Sequence, residues 1–170
     1  MKRLASLVVV TAAAVGLTLA RAQMPKPETV VQVRVEPVGV SVKPGAKFGA
    51  TLLATIKPGF HINSNKPVQE YLIPTRVELL DAPLFVLEKT DFPSGEMKAF
   101  GFAPDEQLSV YEGTVRVPLT LRAKPRATAG NHNLRLAFHY QACNDRFCLR
   151  PAQHEVGLKV VLRSPAGEAE

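Results

Sequence analysis

The sequence predicts an all-β chain folded as an antiparallel β-sandwich. Three observations carry that expectation. Apolar residues recur at every second position in one stretch after another, turn-forming residues separate those stretches, and no stretch shows a helical period with caps. Strict alternation marks a strand with one face in a core and the other in water. Many short strands punctuated by turns are the pattern of a sandwich.

The elements follow in chain order. Residues 1–22 begin with the cations Lys2 and Arg3, continue through LASLVVVTAAAVGLTLA and end on Ala20-Arg21-Ala22. This is the pattern of a secretory signal peptide with an A-x-A cleavage site. No later segment is long and apolar enough to span a bilayer, so the processed chain is expected to be exported and to keep no stable membrane span. Residues 23–29, QMPKPET, read as a linker. The folded domain is expected over 30–163 and a disordered tail over 164–170.

Within the domain, Val31, Val33 and Val35 share one parity. So do Phe48, Ala50, Leu52, Ala54 and Ile56, then Val115, Val117, Leu119 and Leu121. Leu134, Leu136, Phe138 and Tyr140 form a further stripe, and Val156, Leu158, Val160 and Leu162 the last. Turns are expected at Lys43-Pro44-Gly45, Lys57-Pro58-Gly59, Asn63-Ser64-Asn65-Lys66-Pro67, Pro93-Ser94-Gly95 and Ala129-Gly130-Asn131. Pro118 cannot donate to a ladder, so its strand is expected at a sheet edge or with a bulge. An antibody-type disulfide joins distant strands and packs on a tryptophan. Here there is no tryptophan, and the two cysteines are close neighbours in sequence.

Charge and motifs narrow the function classes. The net charge is +6. Loss of residues 1–22 takes Lys2, Arg3 and Arg21 with it and halves that charge. The remaining cations form no run, which argues against nucleic-acid binding. HExxH, GxSxG and glycine-rich phosphate loops do not occur. Asp105-Glu106 read as solvated loop carboxylates, and His61 and Asn63 as turn residues. Nothing calls for a cofactor.

The chemistry gathers in YQACNDRFCLRP, Tyr140 to Pro151. Export makes a disulfide between Cys143 and Cys148 the expected state. In an extended strand their Cα atoms would lie about 16 Å apart at roughly 3.3 Å per residue, whereas a disulfide needs about 4.4–6.8 Å. The chain must therefore reverse between them, and Asn144-Asp145 are good turn formers. The expected picture is a hairpin tip with the sulfurs facing each other near solvent. The ring so closed is worth only about 2 kcal/mol as a staple. A structural disulfide, a redox centre and a metal site all remain open at this level. The metal reading would draw on His139, Cys143, Cys148 and His154, but their spacing fits no common zinc motif and His139 falls on the solvent parity of its strand, so no metal is expected.

Two stretches carry a family resemblance. IKPGFHINSNKPVQEYLIPTRVEL, and YEGTVRVPLTLRA followed by LRLAFHYQACNDRFCLRP, together resemble the N-terminal periplasmic domain of the thiol:disulfide interchange protein DsbD over most of residues 30–163. The specific signature is a strand ending in Tyr-Gln-x-Cys, a short polar turn, then Cys-x-x-Pro. The resemblance implies an immunoglobulin-like sandwich in the periplasm. It implies a relay that takes electrons from a membrane-embedded thiol reductase and passes them to oxidised thioredoxin-like or disulfide-isomerase proteins, including those of cytochrome c maturation. It further implies that Cys148 forms the mixed disulfides, that Cys143 resolves them, and that Phe100-Gly101-Phe102 supplies an aromatic cap. Phe60, His61, Asp145, Arg146 and Phe147 are the implied neighbours. Arg146 and Arg150 could favour a thiolate, and Asp145 would oppose one.

The chain departs from the best-known member by having four residues rather than five between its cysteines, and Met97-Lys98-Ala99 where that member has acidic residues. The 170 residues hold neither the membrane reductase nor the thioredoxin-like domain of a full-length DsbD, so a separate polypeptide is expected to supply electrons. The alternative is a non-enzymatic, exported β-sandwich binding module with a structural disulfide.

Overall fold

The computed structural model describes residues 24–101 and 103–164. The expected signal peptide, Phe102 of the expected cap and residues 165–170 of the expected tail lie outside the described residues. Among the described residues, one helical turn, α1 (Pro27–Val30), comes first and twelve strands follow. These are β1 (Val31–Glu36), β2 (Gly39–Val42), β3 (Lys47–Ile56), β4 (His61–Asn63), β5 (Arg76–Leu80), β6 (Phe85–Thr90), β7 (Glu96–Phe100), β8 (Ala103–Tyr111), β9 (Thr114–Ala123), β10 (Gly130–Tyr140), β11 (Ala142–Cys143) and β12 (Ala152–Leu162). The α1 turn falls at the end of the expected linker, where Pro27 stands at the helix start, a position that needs no N–H.

The fold is all-β and immunoglobulin-like. One sheet has the order β1-β3-β9-β6 and a second β2-β12-β10-β5. The five alternating stripes read from the sequence lie in β1, β3, β9, β10 and β12, and all five face the core. Leu52, Val117, Leu121, Leu136, Phe138 and Leu158 are fully enclosed there. Burial at roughly 25 cal/mol per Å² of apolar surface is the main driving force for this arrangement. Among the described residues all strand pairings are antiparallel except one. After Pro37 the chain crosses from the first sheet to the second, and β2 runs parallel to β12, with Gly39 opposite Lys159 and Val42 opposite Leu162.

Pro118 corrects an expectation. Its strand, β9, is central, between β3 and β6. The proline is tolerated because β6 ends at Thr90, opposite Leu119. Asp91 still donates to the Pro118 carbonyl at 2.8 Å, so only one ladder bond is lost, at the very end of the β6 pairing. The register shift lies nearby, between Leu87 and Lys89 of β6.

A third sheet, β11-β4-β8-β7, closes one end of the sandwich. Ile62, Tyr111 and Ala142 join the main core, while Phe100, Leu108 and Val110 form a separate small cluster with Leu72 packed on it. Here His61 and Asn63 are strand residues, not turn residues: three consecutive buried positions were too short a run to show a period. Asp105 and Glu106 likewise lie on β8 rather than in a loop, still exposed. Glu106 accepts a hydrogen bond from the Tyr71 hydroxyl at 2.8 Å.

Candidate functional site

Strand β10 delivers the cysteines. It ends at Tyr140, and after Gln141 the chain changes sheets, so Ala142 pairs with Ile62 and Cys143 with His61. The chain then reverses. Leu149 N–H donates to the Ala142 carbonyl at 2.8 Å, and Asn144 N–H to the Phe147 carbonyl at 2.9 Å. Cys143 and Cys148 lie opposite each other between those two bonded pairs. That makes them a non-hydrogen-bonded antiparallel pair, the type in which side chains approach most closely. They are joined by a disulfide, with Cα atoms 3.9 Å apart.

Asn144 shapes the turn. Its Oδ1 accepts from the backbone N–H groups of Arg146 and Phe147, both at 2.9 Å. This is the local side-chain capture for which asparagine is favoured in turns. Gln141 adds a brace from its Nε2 to the Leu149 carbonyl at 3.2 Å. Phe147 folds back onto the main core, as does Phe60, while Asp145 and Arg146 remain exposed.

The two sulfur-bearing residues have unlike surroundings. Cys143 is buried, at 1% exposure, whereas Cys148 is exposed. The expectation of a solvent-near disulfide therefore holds for Cys148 and fails for Cys143, because pairing with β4 draws Cys143 into the third sheet.

Opposed residues of an antiparallel pair point to the same face, so Cys143 and His61 share one face of the third sheet. Phe100 lies on this face, its ring stacked on His61 at 3.9 Å between centroids and 22° between planes. The next residue, Gly101, runs so close to the cysteine turn that a Cβ there would sit 3.6 Å from the Asp145 carbonyl oxygen. Gly101, just after the end of β7, thus lies beside the 143–148 turn. Burial holds the His61 imidazole down at about 4, against upward pulls from Glu112 and Asp145 and a further downward push from Lys98. Lys98 is bonded to Glu112 at 2.6 Å and lies 3.3 Å from Glu96.

The structure does not assemble the four candidate metal ligands. His139 sits on the outer face of β10, where its ring nitrogens meet Arg76 at 3.3 Å and Glu78 at 3.1 Å. His154 pairs with the inward-facing Phe138 across β12 and so belongs to the opposite face. The sulfurs of Cys143 and Cys148 are bonded to each other.

Sequence reasoning missed the bracing of the site. Thr75 Oγ1 donates to the Asn63 carbonyl at 2.5 Å, Asn63 Nδ2 donates to the Ile73 carbonyl at 3.0 Å, and the Tyr111 hydroxyl reaches Asn65 Oδ1 at 2.7 Å and the Pro93 carbonyl at 2.8 Å. These bonds fix the 64–75 loop and the approach to β7. The dense polar and glycine content of 63–67 and 93–95 signals turns but not their partners.

The sequence model of the family described as thiol:disulfide interchange protein DsbD, N-terminal, matches residues 28–159. No curated protein matches the chain. Among solved structures, a family 123 glycoside hydrolase from Clostridium perfringens is 8% identical, with a TM-score of 0.38, over 79% of this chain and 28% of its own. The present chain thus spans little more than a quarter of that hydrolase. The CssB subunit of the enterotoxigenic Escherichia coli colonization factor CS6, complemented with a donor strand from CssA, is 14% identical, with a TM-score of 0.40, over 80% of this chain and 99% of its own. An ASH/PapD-like domain of human CEP192 is 11% identical, with a TM-score of 0.38, over 98% and 100%. Likenesses at these scores carry no argument about function.

Proposed function

Because the chain belongs to the family of the N-terminal domain of thiol:disulfide interchange protein DsbD, we propose that its Cys143–Cys148 pair is a working redox centre in the periplasm. It passes electrons from a membrane-embedded thiol reductase to oxidised thioredoxin-like or isomerase proteins. The observation that carries this reading is the contrast between exposed Cys148 and buried Cys143. An incoming thiolate reaches the sulfur of Cys148 and not that of Cys143. Cys148 is therefore the residue attacked, and Cys143 the one released and later the one that resolves.

The cycle balances as thiol–disulfide exchange. A partner thiolate bonds to Cys148 Sγ, the Cys143–Cys148 bond breaks, and its electron pair leaves on Cys143 Sγ. A second partner thiol completes reduction of this chain and is itself oxidised to the partner's disulfide. In the delivery direction reduced Cys148 attacks an oxidised partner, and Cys143 closes the ring again. Phe100, with the β7–β8 tip against the turn, acts as the cap that a docking partner displaces.

Titration against a glutathione or dithiothreitol series, read by thiol alkylation, tests the proposal. A relay has a potential of roughly −180 to −270 mV, and a structural disulfide one below about −300 mV. Cys143→Ala is expected to trap mixed disulfides through Cys148. A potential in the structural range together with no trapped partner would leave the non-enzymatic binding module as the reading.

A further inference from the structure

The buried position of Cys143 creates a problem that the exchange cycle must solve. When Cys148 is attacked, a negative sulfur appears at a residue only 1% exposed. An unpaired charge out of contact with water is costly unless a donor meets it. Cys143 lies directly opposite His61 in the β4–β11 ladder. Such pairs place their Cβ atoms about 4.5–5.5 Å apart on one face. His61 is itself only 2% exposed, and Phe100 stacks on its ring.

We propose that His61 is the hydrogen-bond donor to the sulfur released at Cys143, a neutral imidazole N–H held in place by the Phe100 stack. The inference rests on the exchange reading above and goes beyond it by assigning a group to the buried half of the reaction. A neutral imidazole always carries one N–H, so no proton need move when the disulfide opens. The partner's thiolate supplies the electrons, the S–S bond breaks, and the new thiolate on Cys143 meets the ring N–H. Among the described residues, Glu112, Asp145 and Lys98 are charged groups that act on His61. Two of the three are acidic and could not themselves support a thiolate. Lys98 is engaged by Glu112 and Glu96.

The test separates the donor from the ring. His61→Phe keeps an aromatic ring for Phe100 and removes the donor, whereas His61→Gln keeps a donor and removes the ring. Each is placed in a Cys148→Ala background, and the Cys143 thiolate is followed by its ultraviolet absorbance against pH. His61→Phe is expected to lower the thiolate fraction at a given pH about tenfold, which is one pKa unit. His61→Gln is expected to stay much nearer the parent. Equal titration in all three chains, or a larger shift in His61→Gln than in His61→Phe, would overturn the proposal.

The unsubstituted chain provides a check that needs no variant to fold. In the reduced protein, the His61 ring nitrogen resonances should move with the titration of Cys143, and a flat response across that titration would also refute the donor role. Neither measurement uses an exchange partner. A chain that shows the thiolate shift but no partner exchange would count against the relay alone.

Discussion

Phe100 lies face to face with His61, and Gly101 beside it lies against the carbonyl of Asp145 in the cysteine turn. One aromatic residue thus belongs to the small cluster of Leu108, Val110 and Leu72 and also stacks on the residue opposite Cys143. Phe100→Ala should cost about 3 kcal/mol, the lower end for a buried aromatic truncation, because its cluster is small. It should also speed reduction of the disulfide by dithiothreitol about tenfold by improving access. Urea unfolding and stopped-flow reduction measure the two effects. A loss of stability with an unchanged reduction rate would make Phe100 plain core.

His61 sets an acid limit on stability. Its folded pKa of about 4 lies below the ordinary 6.5, so between those values the unfolded chain binds the proton and the folded chain does not. Stability is therefore fully present above pH 6.5 and is lost as pH falls towards 4. The loss approaches about 3 kcal/mol if burial is retained. Denaturation curves at a series of pH values should show this slope, and His61→Phe should remove most of it.

Reduction of the disulfide should lower stability only modestly. The ring closed by Cys143 and Cys148 is short, and its entropic effect on the unfolded chain is about 2 kcal/mol. Unfolding of oxidised and reduced chains under the same conditions measures the difference. A loss of twice that size would mean that the bond also holds β11 against β4.

Gly95 marks a close approach that a side chain cannot enter. A Cβ there would lie 2.3 Å from Ser109 Oγ and 2.8 Å from Ser64 Cβ. Gly95→Ala should destabilise by about 1–3 kcal/mol, as overpacking does. Adding Ser109→Ala should recover part of the loss but not all, because Ser64 remains. Thermal melts of the two chains decide it.

The sandwich was legible because five stripes of alternating residues each had a core face long enough to show its period. The short strands were not. At His61–Asn63 all three positions are buried: Ile62 in the main core, His61 beneath the Phe100 ring and Asn63 bonded to the Ile73 carbonyl. Period two disappears when both faces of a strand are covered. The reversal at Asn144-Asp145 followed from the length of chain that must return for two sulfurs to meet. The unequal exposure of the two cysteine residues did not, since it depends on Cys143 pairing with a strand 82 positions earlier in the chain. Pro118 misled for a related reason: whether a missing N–H matters depends on where the neighbouring strand stops, and β6 stops beside it.

The apolar cluster under the β7–β8 hairpin is separate from the main core. Cooperative units of different local stability tend to follow such divisions. In amide hydrogen exchange, Leu108 and Val110 should therefore lose protection well before Leu121 and Leu136. The hairpin would then behave as its own small unit of opening, breathing while the two large sheets stay closed.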